Sequence, residues 1–201
     1  MTKIKLCGLS RQQDIEAANR LKPDYIGFVF ASKSKRRVTH LQAAELKSKL
    51  DPAIKAVGVF LNDDLDMVGS LMNLGIVDMV QLHGSEDEDY ILRLRDITDK
   101  PIIKAFIINS AEDVKRAEQS TADYILLDGG KGSGKAFDWT LLKDIQRPYF
   151  LAGGLNGENA AEAVASLHPF AVDVSTGIET DGVKNIEKMT AFVAAVRKEE
   201  R

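Results

Sequence analysis

Short apolar runs rich in β-branched residues recur along the whole chain, and each of them predicts a β-strand. There are eight such runs: Lys3–Cys7, Asp24–Phe30, Ile54–Phe60, Asp78–Leu82, Pro101–Ile107, Asp123–Leu127, Pro148–Ala152 and Phe170–Val174. Several of them, such as the run that ends at Phe30, are continuously apolar rather than alternating. Continuous apolar runs are typical of parallel strands that are buried on both faces.

Stretches with the apolar spacing of amphipathic helices lie between the predicted strands. They are Arg11–Leu21, Leu41–Leu50, Leu65–Leu74, Glu86–Arg95, Ala111–Glu118, Ala160–Leu167 and Asn185–Lys198. A further capped helix is expected to begin at Asp138 and Trp139, after the sixth strand. Residues that can act as N-caps precede most of these stretches, namely Ser10, Thr39, the Asp63-Asp64 pair, Ser85 and Ser110.

The alternation of strand and helix predicts a parallel sheet with right-handed crossover connections. Eight repeated units with no spare segment favour closure into a (β/α)8 barrel, the TIM-barrel fold, as one domain over residues 1–201. An open doubly wound α/β sheet is the alternative, and it would need about five or six strands.

Charge balance and the few cysteine and histidine residues narrow the class of protein. Lys and Arg number 27 against 30 Asp and Glu, a net charge of −3, which is a poor footprint for nucleic acid. The single cysteine excludes an intramolecular disulfide, and His40, His83 and His168 have no metal-ligand spacing. Without a signal-peptide core or a membrane-length apolar run, we expect a cytoplasmic, metal-independent protein that does not enter a membrane.

Two glycine-rich turns follow the seventh and eighth predicted strands, at the barrel end where TIM-barrel chemistry occurs. One contains Gly153 and Gly154, and the other contains Ser175, Thr176 and Gly177. Glycine lets a backbone approach a ligand closely, and bare N–H groups beside a helix start bind anions. We therefore expect these five residues to bind a phosphate group, with ordinary tight turns as the alternative.

A third glycine-rich stretch follows the sixth strand. Gly129–Lys135 matches seven positions of a nucleotide-binding P-loop, but Ala136 stands where Ser or Thr would ligate magnesium. The stretch is therefore not interpreted as a P-loop. A mobile loop that covers the substrate is favoured over a plain flexible connection, because a strand-end carboxylate precedes it.

Cys7 and Asp128 end the first and sixth strands, which lie nearly opposite one another in a closed ring of eight. A phosphate held after the seventh and eighth strands would place an attached sugar between a thiol and a carboxylate, which suits general acid–base chemistry. Arg36 is a candidate for binding a substrate carboxylate. For His83 and Asp173, both a structural role and contact with substrate remain open.

Several segments together resemble the phosphoribosylanthranilate isomerase family of tryptophan biosynthesis. The similarity extends from Lys5 to about Lys184, with Leu6, Lys35 and Thr176 in place of the family's more usual Ile, Pro and Ser. The segments are Lys5-Leu6-Cys7-Gly8-Leu9, Gly27–Phe30 with Lys33–Arg36, Val80–Gly84, Leu126–Asp128 with Gly132, Gly134 and Phe137–Trp139, Leu151–Leu155, and Asp173–Glu179.

The resemblance implies an Amadori rearrangement of N-(5-phosphoribosyl)anthranilate to 1-(2-carboxyphenylamino)-1-deoxyribulose 5-phosphate, without metal or organic cofactor, by a monomer or a homodimer. It implies that Asp128 is the general acid for ring opening and that Cys7, as thiolate, removes the C2 proton. Arg36 would hold the anthranilate side, and Asp173 is a candidate for orienting it. For these roles, we expect burial to raise the pKa of Asp128. We also expect either Arg36 or the substrate to promote formation of the Cys7 thiolate.

Two alternatives remain beside this assignment. One is another phosphosugar isomerase on the same barrel, such as the histidine-pathway isomerase, which is expected to carry Asp where Cys7 stands. The other is a phosphosugar-binding protein that has lost catalysis, against which the presence of both Cys7 and Asp128 argues. Binding without turnover would identify the latter.

Overall fold

Eight parallel strands close into a barrel in which each strand pairs with its neighbours in sequence and β1 pairs with β8. The computed structural model describes residues 1–130, 138–143 and 145–198. The strands are β1 Lys3–Cys7, β2 Tyr25–Val29, β3 Lys55–Phe60, β4 Met79–Leu82, β5 Ile102–Ile107, β6 Tyr124–Asp128, β7 Tyr149–Ala152 and β8 Ala171–Val174. The closed ring confirms the predicted TIM barrel and removes the open-sheet alternative.

Seven α-helices surround the barrel in the part of the chain that the structure describes. They are α1 Gln12–Leu21, α2 His40–Ser48, α3 Leu65–Asn73, α4 Glu88–Arg95, α5 Ala111–Glu118, α6 Ala160–Leu167 and α7 Ile186–Lys198. The helix predicted after β6 is instead a single 3-10 turn, Trp139–Leu142, capped by Asp138. None of the described helices is long and apolar enough to cross a membrane.

The helix caps follow the sequence prediction at some positions and correct it at others. Thr39, Asp64 and Ser110 each accept a hydrogen bond from a backbone N–H in the first turn, as predicted. Ser10 does not cap α1, because the Asp14 carboxylate accepts the N–H groups of both Ser10 and Arg11.

Ser85 does not cap α4 either. Asp87 accepts the Tyr90 N–H at the start of that helix. The Ser85 N–H and hydroxyl both donate to the Asn62 side chain, which belongs to the preceding loop of the barrel. Ser85 therefore joins two loops rather than starting a helix.

The core has two layers that the strand alternation separates. Side chains such as Ile4 and Leu6 point outward from β1 and pack beneath the helices. Inside the barrel, one cluster surrounds Phe150, and a second cluster near the mouth contains Cys7, Val29 and Val59. The Cys7 thiol thus lies on the inner face, above a packed apolar interior.

A two-stranded hairpin connects β8 to α7. Its strands are β9 Glu179–Thr180 and β10 Val183–Lys184, which pair antiparallel. Lys184 donates from its ammonium group to the backbone carbonyl of Ser175, at the end of β8. The hairpin therefore brings additional charged side chains to the barrel mouth beside β1.

Candidate active site

Cys7 lies at the C-terminal end of β1 and is only 7% exposed. It faces Gly27 on β2 in the parallel register. A Cβ atom at position 27 would come within 2.6 Å of the Cys7 sulfur. The absence of a side chain on Gly27 therefore provides the space that the thiol occupies.

Lys5 and Asp173 form a buried ion pair one side-chain layer below Cys7. Lys5 precedes Cys7 by two residues on β1, so both side chains point into the barrel. Its ammonium group lies 3.0 Å from each Asp173 oxygen, and the two residues are paired across β1 and β8. Asp173 therefore forms an ion pair inside the barrel, which is the structural one of the two roles considered for it.

Burial raises the pKa of the Cys7 thiol, and it is the largest influence on that group. The positive charges of Lys5 and Lys184 oppose this effect, whereas the Asp173 carboxylate adds to it. Lys5 and Lys184 are the main cations that favour the thiolate. Arg36 also interacts with the Cys7 charge, in the direction expected for it.

Asp128, His83 and Gln81 form a second cluster on the opposite side of the mouth. The imidazole Nε2 of His83 lies 3.4 Å from Asp128 Oδ2. The Gln81 amide nitrogen lies 2.7 Å from His83 Nδ1. Gly130 donates its N–H to Asp128 Oδ1 at 3.0 Å.

The ionisation of Asp128 differs from the sequence-based expectation. Burial, the largest influence, raises the pKa of the carboxyl, but the His83 hydrogen bond and charge and the Gly130 N–H together lower it below its ordinary value. The prediction that burial raises the pKa of Asp128 overall is therefore wrong. A proton for this carboxylate must come from a neighbouring group or from a change on substrate binding.

Arg36 makes a two-pronged ion pair with Glu179 of β9. The Arg36 Nε and Nη2 atoms lie 2.6 and 2.7 Å from the two carboxylate oxygens. Lys184 donates to the same carboxylate at 2.6 Å. The outer edge of the guanidinium, formed by Nη1 and the second Nη2 proton, is not used in this pair and has the geometry for another carboxylate.

The glycine-rich turns after β7 and β8 lie against one another. Gly153 and Gly154 have φ of +89° and +71°, a conformation that favours glycine. Among the described residues, their N–H groups donate no hydrogen bond. A Cβ atom at Gly177 would lie 1.9 Å from the Leu155 carbonyl, so the two turns approach at backbone distance.

The other predicted phosphate ligands stand beside these turns. Thr176 begins a short 3-10 turn, Thr176–Ile178, and Ser175 precedes it. The Ser175 hydroxyl accepts from the Lys184 ammonium group at 3.3 Å, so a cation adjoins the predicted anion site. Most of the predicted covering loop, residues 131–135 of Gly129–Lys135, lies outside the described residues.

Sequence reasoning missed four charged or polar residues of this site. Lys5 and Gln81 each lie two residues before a recognised site residue, so strand alternation is a signal that places them on the inner face. Glu179 and Lys184 have no such signal, since their position depends on the hairpin that follows β8. The missed residues are Lys5, Gln81, Glu179 and Lys184.

Comparison with known proteins gives consistent matches over the whole barrel. A family model described as "PRAI: N-(5'phosphoribosyl)anthranilate (PRA) isomerase" matches residues 4–195. The N-(5'-phosphoribosyl)anthranilate isomerase of Endomicrobium trichonymphae is 46% identical over 202 residues, covering 98% of this chain and 99% of that protein.

Solved structures agree with these matches. A phosphoribosyl anthranilate isomerase in complex with reduced 1-(o-carboxyphenylamino)-1-deoxyribulose 5-phosphate superimposes with a TM-score of 0.88 at 32% identity, covering 98% of this chain and 100% of that chain. Monomers made from the dimeric isomerase of Thermotoga maritima give the same TM-score, identity and coverage.

Proposed function

Since the chain belongs to the N-(5'-phosphoribosyl)anthranilate isomerase family and is an isomerase of that substrate, we propose that Cys7 and Asp128 carry out its proton transfers. The reaction turns the aminoribose into the corresponding 1-amino-1-deoxyribulose. It requires a proton donor at the ring oxygen and a base at C2. The observation that carries the assignment is the position of these two side chains at the ends of β1 and β6, with β7 and β8 between them.

The substrate phosphate binds at the turns after β7 and β8. The support for this step is that the N–H groups of Gly153 and Gly154 donate to no described residue and that Lys184 supplies a positive charge beside Ser175. Such amides bind anions well because they need no side-chain ordering. The ribose of a phosphate held there lies between the β1 and β6 strand ends.

The anthranilate carboxylate binds at the outer edge of Arg36. Glu179 fixes the guanidinium plane through Nε and Nη2, so the remaining N–H groups are preorganised toward the mouth. Asp173 then acts indirectly, by holding Lys5 rather than by touching the substrate.

Asp128 opens the ribose ring. It donates a proton to the ring oxygen as the bond between C1 and that oxygen breaks, and the bonding pair leaves on the oxygen. The nitrogen lone pair forms the C1–N double bond, which gives a Schiff base. The carboxylate that remains is stabilised by the Gly130 N–H and by His83.

Cys7 removes the C2 proton of the Schiff base. The C–H pair forms the C1–C2 double bond, and the iminium pair returns to nitrogen, which gives an enolamine. The thiolate that performs this step is stabilised by the ammonium groups of Lys5 and Lys184. These cations oppose, without cancelling, the burial that raises the pKa of the thiol.

The last step restores both groups. The C2 hydroxyl returns a proton to the Asp128 carboxylate as the ketone forms, and the Cys7 thiol protonates C1. No proton is gained or lost overall, and no oxidant or reductant is required. This balance is that of an isomerase.

Substitution at the two proposed groups tests the assignment. Phosphoribosylanthranilate is generated in the cuvette from anthranilate and phosphoribosyl pyrophosphate by the upstream transferase, and its fluorescence loss is followed. Cys7→Ser and Asp128→Asn should each lower kcat by about 10²–10⁴-fold, because each removes a proton-transfer group with little change in shape.

The exposed Asp66 supplies a matched control, since Asp66→Asn changes the same chemistry on α3. That variant should retain the wild-type rate. Wild-type turnover by a folded Cys7→Ser or Asp128→Asn protein would remove that residue from the mechanism.

A further inference from the structure

Gln81 lies beneath His83 on the inner face of β4 and is almost fully buried, with 1% exposure. Its amide group contacts His83 Nδ1 at 2.7 Å, and which of the two groups donates depends on the tautomer of the ring. That Nε2 faces the Asp128 carboxylate at 3.4 Å. Gln81, His83 and Asp128 therefore form a continuous chain from the barrel interior to the proposed acid.

The Gln81 carbonyl oxygen, Oε1, is buried and has no hydrogen-bond partner among the described residues. A buried amide oxygen without a partner is unfavourable, and it calls for an explanation. Rotation of the amide by half a turn would exchange Oε1 and Nε2. Oε1 would then accept a proton from His83 Nδ1, a bond that exists only when the imidazole carries a proton on Nδ1.

We propose that His83 and Asp128 share one transferable proton, and that Gln81 is the positioning residue, whose Oε1 accepts from His83 Nδ1 in both charge states of the ring. The inference rests on the proposed function and extends it to the source of the proton for ring opening. In the resting state, imidazolium and carboxylate form a pair. The lowered pKa of Asp128 agrees with that arrangement.

The proton moves in balanced steps. His83 Nε2 passes its proton to Asp128 Oδ2, which leaves a neutral imidazole and a protonated carboxyl. Asp128 then gives that proton to the ring oxygen as the C1–O bond breaks. The neutral imidazole keeps its other proton on Nδ1, bonded to Gln81 Oε1. When Asp128 regains a proton from the C2 hydroxyl in the last step, it returns that proton to His83 Nε2.

Other charged groups near His83 are largely paired with one another. Lys104 of β5 and the buried Glu86 lie 3.0 Å apart, and Lys104 also donates to the Gly84 carbonyl. The remaining charged residues that line the cavity beside His83 are Asp87, Glu88 and Arg116. The charge that His83 meets directly is therefore that of Asp128.

Two substitutions of Gln81 should move the titration of His83 in opposite directions. Gln81→Glu places a carboxylate against Nδ1–H and stabilises the imidazolium, so the pH at which His83 changes charge should rise by about one unit. Gln81→Met removes the acceptor, and that pH should fall by a similar amount. Nitrogen-15 NMR of the imidazole rings in the full-length protein measures both, and a break in the pH profile of kcat/KM should move with each.

His168→Asn is the matched control for His83→Asn, because His168 is an exposed residue at the end of α6. His83→Asn should lower kcat and abolish this break, while His168→Asn should leave both unchanged. Opposite shifts in the two Gln81 variants support the proposal. Equal or absent shifts, or a neutral His83 whose proton resides on Nε2, overturn it. Failure of the proposed function would instead appear as no wild-type turnover, and the NMR titration does not depend on turnover.

Discussion

At the scale of single residues, the site is defined by what surrounds Cys7 and Asp128 more than by those residues alone. Burial raises the pKa of the Cys7 thiol and the His83 contact lowers that of Asp128, so neither shift favours the form that the proposed chemistry needs. Lys5 and Lys184 stabilise the thiolate form of Cys7, and His83 is the proposed source of the proton that Asp128 needs. The ionisation states that the proposed chemistry uses are thus set by neighbouring residues.

Alkylation of the single cysteine tests the surroundings of Cys7. Because burial raises the pKa of the thiol, its reaction with iodoacetamide should reach half-maximal rate at a higher pH than that of a free cysteine, above about 8.5. Lys5→Gln should shift the midpoint higher still, since it removes a stabilising charge and leaves Asp173 unpaired. Mass spectrometry measures the reaction at this one site. A wild-type midpoint at or below that of free cysteine would contradict the account.

The sequence identifies the residues that end strands but not most of their partners. Cys7, Asp128 and Arg36 could be predicted as site candidates because each follows a recognisable apolar run. The Lys5–Asp173 pair joins residues 168 positions apart, so only the closed barrel reveals it. The direction of the Asp128 pKa shift was predicted wrongly for the same reason, since the His83 contact is also made across the mouth.

At the scale of elements, the β9–β10 hairpin joins the Arg36 loop to the end of β8. Burial opposes ionisation of Glu179, but its bonds to Arg36 and Lys184 lower its pKa to about 2. The folded-state pKa therefore lies below that of the unfolded chain. This difference stabilises the protein above the unfolded value and is lost as pH falls toward 2.

Glu179→Gln should reduce the free energy of unfolding by about 2–3 kcal/mol near neutral pH. The difference in the free energy of unfolding between wild type and variant should narrow as the pH is lowered from 5 toward 2, because the wild-type carboxylate is then protonated. Urea unfolding at several pH values measures it. Glu45→Gln removes an exposed carboxylate paired with Lys49 and should have little effect. A Glu179→Gln gap that does not depend on pH would contradict the electrostatic origin.

The turn after β7 gives a second test at this scale. A Cβ atom at Gly153 would lie 2.4 Å from the Gly129 nitrogen and 2.8 Å from Asp128 Oδ1. Gly153→Ala should therefore displace the proposed acid and lower kcat about a hundredfold. Gly75→Ala is the matched control, because Gly75 also has a positive φ, of +70°, and a Cβ atom added there would have nothing within 4 Å. It should cost about 1 kcal/mol of stability and leave kcat unchanged. Equal kinetics in the two variants would contradict a role for Gly153.

Strands were easier to predict than helix boundaries. The predicted strands overlap the eight strands of the barrel, since burial on both faces leaves a continuous apolar signal, but they do not include the two short strands of the β9–β10 hairpin. The starts of α1 and α4 were misplaced because Arg11 and Asp87, rather than the nearby serines, stand at the N-cap positions of these helices. The segment after β6 forms a 3-10 turn rather than an α-helix. Its N-cap residue, Asp138, does not by itself distinguish the two kinds of helix.

At the scale of the whole molecule, closure of the sheet creates the site. The β1–β8 pairing brings the first and last strands together, so the thiol, the glycine-rich turns and the carboxylate share one mouth. An open sheet of the same strands would separate Cys7 from the turn after β8. The alternation of strand and helix allowed this closure to be predicted before any contact was known.

The measurement that tests the central claim most directly is single-turnover conversion of substrate with hydrogen or deuterium at C2 of the ribose. Wild type should convert the deuterated substrate several-fold more slowly, because the C2 bond to hydrogen breaks in the step assigned to Cys7. Folded Cys7→Ser should convert neither substrate at a comparable rate. Conversion by Cys7→Ser at the wild-type rate would contradict the assignment of Cys7 as the base.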